Sequence, residues 1–142
     1  MKGREYAMRA RPAFFGTVLG VLAAAPLGAH HSFVAEFDPT KPIQLRGILT
    51  RVELINPHSW FHVDVTQPDG TVVSWAIEAG TPNTLYSKGI TKDSLTPGVE
   101  IVVDGYQAKD GTHTASGRDL TFPDGREIYL EGSAPPAADS PD

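Results

Sequence analysis

The chain has 142 residues, a net charge of −5 and no cysteine. That length suits one domain, and the missing cysteine excludes disulfides, thiolate metal sites and cysteine nucleophiles. The acidic balance disfavours a nucleic-acid partner, because phosphate binding needs basic patches, and it equally disfavours docking on anionic lipid.

Lys2, Arg4, Arg9 and Arg11 precede the apolar run from Ala13 to Ala25, and Pro26-Leu27-Gly28-Ala29 follows. A basic start, a short apolar run and small residues at the end spell a secretory signal peptide. The run falls short of the ~20 residues of a membrane-spanning helix, so an uncleaved amino-terminal anchor fits the flanks less well. Met8 as the true start keeps the same pattern. Residues 1–29 are therefore expected to be removed, leaving a periplasmic or secreted protein with no membrane span. Cleavage after Ala29 removes four cations and Glu5, takes the charge to −8, and starts the mature chain at His30-His31-Ser32-Phe33.

Residues 30–42 read as an extended amino-terminal arm, pinned to the domain by Phe33 and Phe37 and ended by Asp38-Pro39 and Lys41-Pro42. A long first strand is expected over Ile43–Ile55, with a bulge or sharp coil near Gly47. Asn56-Pro57 turns the chain into a second strand. There Ser59, Phe61, Val63 and Val65 alternate with His58, Trp60, His62 and Asp64, so the first set faces a core and the second faces out. Pro68-Asp69-Gly70 makes the next turn, and the third strand covers Val72–Glu78. A three-residue loop sets Val63 against Trp75, Phe61 against Ile77, Trp60 against Glu78 and His62 against Ala76.

Thr81 caps a short helix with Pro82 in its first position, Leu85 as core anchor and Gly89 as stop. A fourth strand over Val99–Ala108, a hairpin turn at Lys109-Asp110-Gly111 and a fifth strand over 112–122 follow. Arg126–Leu130 adds a short edge strand. The Pro- and Ala-rich residues 132–142 are expected to be a disordered tail. Residues 43–131 thus read as all-β with one short helix, in the element order of an OB-fold-like five-stranded antiparallel barrel. A plain antiparallel sandwich is the rival arrangement.

An OB-fold binds its ligands on strands two and three and on the loops after strands one and four. His58 lies in the first of those loops, His62 on strand two and His113 just after the second loop. Trp60, Asp64 and Glu78 complete a candidate ligand surface. Each has a plainer reading: His62 as a half-exposed strand residue, His58 as a cap on its turn, His113 as solvated, and Trp60 as cover for the outer face. Tyr86 and Tyr106 read as core or rim.

His30 and His31 differ in kind. A free amino-terminal histidine offers its amine and imidazole together, a chelate that suits copper(II), which prefers tetragonal nitrogen and oxygen donors. Retention of Ala29 would give Ala-His-His, also a copper or nickel arrangement. The metal candidates are therefore His30, His31, His58, His62 and His113, with copper as the cofactor. His58 and His62 are ~13 Å apart along a straight strand and cannot share one ion, so His58 is the natural partner of the arm. Catalysis is not expected: Ser59 faces the core without a base, Asp64 and Glu78 have no evident pocket, and no phosphate loop or dinucleotide motif occurs.

Ala29-His30-His31-Ser32-Phe33, Asn56-Pro57-His58-Ser59-Trp60, Asp104-Gly105-Tyr106 with Ala108-Lys109-Asp110-Gly111, and Leu120-Thr121-Phe122-Pro123-Asp124-Gly125 together resemble a family of small exported bacterial proteins catalogued as a domain of unknown function. The resemblance spans roughly residues 29–130. It implies export and supplies no activity. Two readings of function follow: a periplasmic copper-binding module, or a metal-free OB-type module that recognises a peptide, glycan or protein partner through the Trp60 face.

Overall fold

Strict alternation from Ser59 onward fixes the sheet around one strand. In the computed structural model, which describes residues 33–134, β2 (Ser59–Thr66) buries Ser59, Phe61 and Val63 completely and leaves Trp60, His62 and Asp64 half-buried on the other face. It pairs with β3 (Val72–Ala79) in the register expected: Phe61 opposite Ile77, Val63 opposite Trp75, Trp60 opposite Glu78 and His62 opposite Ala76. The joining turn is held by the Asp69 carboxylate, which accepts from the Thr71 N–H and hydroxyl, and Gly70 takes a φ of 85° that a β-carbon would disfavour.

β1 runs from Phe37 to Glu53, six residues earlier at its start than the prolines suggested. Pro39 and Pro42 are tolerated because its pairing with β4 (Glu100–Ala108) is irregular between Phe37 and Pro42. The bulge on the β2 side falls between Leu49 and Arg51, not at Gly47. Gly47 serves closeness instead: a β-carbon there would lie 2.8 Å from Val63 Cγ1 and against the Asp64 carbonyl. Residues 33–36 are not extended but form a helical turn, α1 (Phe33–Glu36). Phe33 still pins the arm, with its ring 6.0 Å from Phe37 and 5.2 Å from Tyr106.

The second helix, α2 (Pro82–Ser87), follows its signals. Thr81 Oγ1 accepts from the Thr84 N–H, Pro82 opens the helix, Leu85 is fully buried, and Gly89 ends it at a φ of 80°. β4 then pairs antiparallel with β1 and with β5 (Thr114–Thr121), and β6 (Glu127–Tyr129) lies along the far edge of β5. Parallel pairing of Ala76, Ile77 and Glu78 with Thr114, Ala115 and Ser116 joins β3 to β5. The closure makes a ring of five strands in the order β1-β2-β3-β5-β4, all-β with short helices, in which one pair is parallel. Leu45, Leu49, Phe61, Val63, Ile77, Leu85, Ile101, Val103, Leu120 and Leu130 fill its centre. Each such side chain contributes about 1.5–3 kcal/mol when taken out of water.

The first residues of the expected tail are packed. The Ala134 N–H donates to Ser116 Oγ, the Ser133 N–H donates to Glu78 Oε1, and Ala134 is 2% exposed. The segment can lie this close because Gly80, Gly117 and Gly132 meet where β3, β5 and the returning chain touch. A β-carbon on Gly117 would come within 2.7 Å of Leu130 and 2.8 Å of Ile77. His30, His31, the expected signal peptide and residues 135–142 lie outside the described residues. Among the described residues no helix is long and apolar enough to cross a membrane.

Candidate functional site

The outer face of β2 is organised around Trp60. In the strand register Trp60 stands between Glu53 of β1 and Glu78 of β3. His58 precedes it by two residues and His62 follows by two, so period two carries all three outward. Each imidazole faces one of the two carboxylates. His62 Nε2 lies 2.9 Å from Glu53 Oε2, and His58 Nδ1 lies 4.0 Å from Glu78 Oε1.

The two pairs differ in surroundings. Glu53 is partly open and also pairs with Arg51, whose Nη1 is 3.0 Å from Oε1. The carboxylate can only accept, so His62 donates its Nε2 proton to it. Arg51 Nη2, 3.1 Å from the same nitrogen, is then a neighbour and not a donor to it. The hydrogen bond from His62, and next the Arg51 charge, hold the Glu53 carboxyl below its ordinary range against the opposing effect of desolvation. Glu78, by contrast, is 4% exposed. It was expected on an open ligand surface. It does sit on the outer face, but residues 131–134 fold over it, and the Ser133 N–H bonds its Oε1. His58 Nδ1 is buried with no hydrogen-bond partner.

A cleft of about 340 Å³ lies beside Trp60, walled by Ala35, Glu36 and Phe37 on one side and by Ala108, Lys109, Asp110, Thr112 and Thr114 on the other. The arm is tied to this hairpin by the Lys109 N–H, which donates to the Glu36 carbonyl, and by Lys109 Nζ, which donates to the Val34 carbonyl. Asp110 holds the hairpin tip by accepting from the Thr112 N–H and hydroxyl, which lowers its carboxyl pKa. The site thus combines one indole, backbone groups, a lysine and two imidazole–carboxylate pairs.

Other candidates do not join it. Asp64 accepts from Ser74 Oγ farther along β2. His113 is exposed, with its ring 5.1 Å from Trp75 and its carbonyl accepting from the Ala76 N–H. Among the described residues, no three His, Asp or Glu side chains converge as a metal-binding group. Ser59 Oγ is buried in the core without a partner, as the alternation required. Sequence reasoning missed Glu53 and Arg51, because the pairing of strands one and two was never set. It also missed the Lys109–Thr112 wall, whose turn signals gave no hint that the arm packs there.

Residues 18–117 match the family model of a Family of unknown function (DUF6152), and the chain belongs to that family. The matched span takes in His30, His31, the Asn56–Trp60 stretch and the Lys109-Asp110-Gly111 turn, and ends before Leu120–Gly125. A search of the curated proteins finds no match.

Proposed function

We propose that this protein is an exported, periplasmic binding module, and that its ligand site is the outer face of β2 at Trp60 with the adjoining cleft. The observation that carries the reading is the pairing of His58 and His62 with Glu78 and Glu53 on either side of one half-buried indole. Solubility alone asks for none of this. Export is supported by the basic, apolar and small-residue sequence of residues 1–29.

Copper(II) is the ligand put first. The arm is anchored at Phe33, whose turn continues directly into the cleft wall at Ala35 and Glu36. His30 is three residues before that anchor, so its Cα is tethered within about 11 Å of the Phe33 Cα. Amine and imidazole nitrogens favour copper(II) over the other divalent ions of its series. His31 and His58 are the further donors proposed, since His62 Nε2 is engaged with Glu53 and the His113 ring packs against Trp75. Binding weakens as pH falls through about 6.5, because imidazole must be neutral to bind. Intact mass of the exported protein, with and without Cu²⁺, tests both parts. The proposal expects a chain starting at His30 that carries one copper. Recovery of the full-length chain from the exported fraction contradicts export and the amino-terminal chelate together.

A second reading is favoured by the cleft itself. Its walls offer Trp60, Lys109 and Thr112 without three converging metal ligands among the described residues. A peptide, glycan or protein segment would stack on the indole and bond to the polar wall. Trp60→Ala would then abolish capture while His58→Ala spares it, the reverse of the copper expectation.

A further inference from the structure

The two histidines beside Trp60 turn opposite ring edges to their carboxylates. His62 commits Nε2 to Glu53. His58 turns Nδ1 inward: that atom is buried, unpartnered and 4.0 Å from Glu78 Oε1, while the side chain as a whole is 27% exposed. The exposed part of the ring is therefore the edge opposite Nδ1.

We propose that Glu78 is a positioning residue for the site: it holds neutral His58 with the proton on Nδ1, so that Nε2 stands bare at the surface beside Trp60 as a ligand atom. The reasoning is electrostatic. With the proton on Nε2, the Nδ1 lone pair would point at a carboxylate oxygen inside the protein, an unfavourable contact with no water to relieve it. With the proton on Nδ1 the same approach is attractive. The gap exceeds hydrogen-bond length by about 1 Å, so the bias on the ring is electrostatic and not a formed hydrogen bond. Glu78 itself is fixed from the far side by the Ser133 N–H, and residues 131–134 exclude solvent from it. A ring nitrogen whose partner nitrogen donates to a buried carboxylate is a better base and a better-aimed metal ligand. Glu78 thereby gains a role that its burial otherwise leaves unexplained.

This rests on the Trp60 face being the binding site, yet its first test needs no ligand. Long-range ¹H–¹⁵N correlation spectra of the metal-free protein, recorded on the neutral form of the ring, report which nitrogen of His58 bears the proton. The expected result is a protonated Nδ1 and a bare Nε2 in the native protein. Glu78→Met, an apolar side chain of similar length, should release the ring to the Nε2-protonated form. Its amide spectrum should match the native one away from residues 131–134, where the Ser133 N–H loses its acceptor. A native His58 protonated on Nε2 overturns the proposal, and so does a tautomer unchanged by Glu78→Met. Cu²⁺ is then added to both proteins. A native protein whose His58 resonances broaden first, with affinity at least tenfold weaker in Glu78→Met, supports positioning for metal. Equal affinity in the two overturns it. If the native protein binds no Cu²⁺, the copper reading fails and the tautomer result alone decides the role of Glu78.

Discussion

The two faces of β2 obey different rules. The inner face carries Ser59, Phe61 and Val63, all with no exposed surface, and its identity is set by shape. The outer face carries Trp60, His62 and Asp64, with His58 just before the strand, and each charged or titratable group there has a charged or polar neighbour on an adjacent element. Core strands need only an apolar face and a face that water accepts. An outer face of aromatic and paired titratable groups exceeds that need, and the excess marks it as the candidate site.

The largest expected effect breaks the inner face. Phe61→Ala should lower unfolding free energy by about 3–5 kcal/mol in a urea titration, because a fully buried ring leaves a cavity at the centre of the core cluster. A loss below about 1 kcal/mol would mean that the face does not pack as described. Next comes the seal over Glu78. Gly117→Ala places a methyl within 3.1 Å of the Glu78 carbonyl and closer still to Leu130 and Ile77. It should cost about 1–3 kcal/mol by overpacking. It should also speed hydrogen exchange at the Ser133 and Ala134 N–H groups, which close that seal. Unchanged exchange with lowered stability would show that the strain relaxes elsewhere.

The smallest effect sharpens the contrast between the two imidazole–carboxylate pairs. Glu53 has a depressed folded pKa, so its contribution is complete above the ordinary glutamate value of 4.5 and is lost as pH falls through the lower folded value. Glu53→Gln should flatten that acid limb of the stability profile by removing the contribution at neutral pH, a small one since the group is largely open to solvent. An acid limb identical to that of the native protein would remove the His62–Glu53 pair from the account.

The inner face was legible because its signal is local. Alternation from Ser59 and the Pro-Asp-Gly turn together determine the β2–β3 register, and Thr81, Pro82 and Gly89 determine α2. Glu78 was misjudged because its cover comes from residues more than 50 positions later in the chain. Those residues, Gly132–Ala134, share the Pro- and Ala-rich composition of a tail, and their packing depends on glycines from three separate segments. The arm misled for a related reason. Phe33 and Phe37 are compatible with an extended strand or with one helical turn, and the turn is held by distant partners, the Tyr106 ring and Lys109. The histidines and Glu78 were found from the sequence; Glu53 and the pairing of each carboxylate with its histidine were not, since Glu53 and Glu78 reach the rings diagonally across strand pairs.

A Cu²⁺ titration of three proteins tests the central claim most directly: the native chain starting at His30, the same chain with its amino-terminal amine acetylated, and His58→Ala. The account predicts one Cu²⁺ bound by the native protein and weaker binding in both variants, each at least tenfold, as expected when one nitrogen donor of a small site is removed or blocked. Native binding that neither change weakens, or no binding at all, would contradict it and leave the metal-free Trp60 cleft as the function of this face.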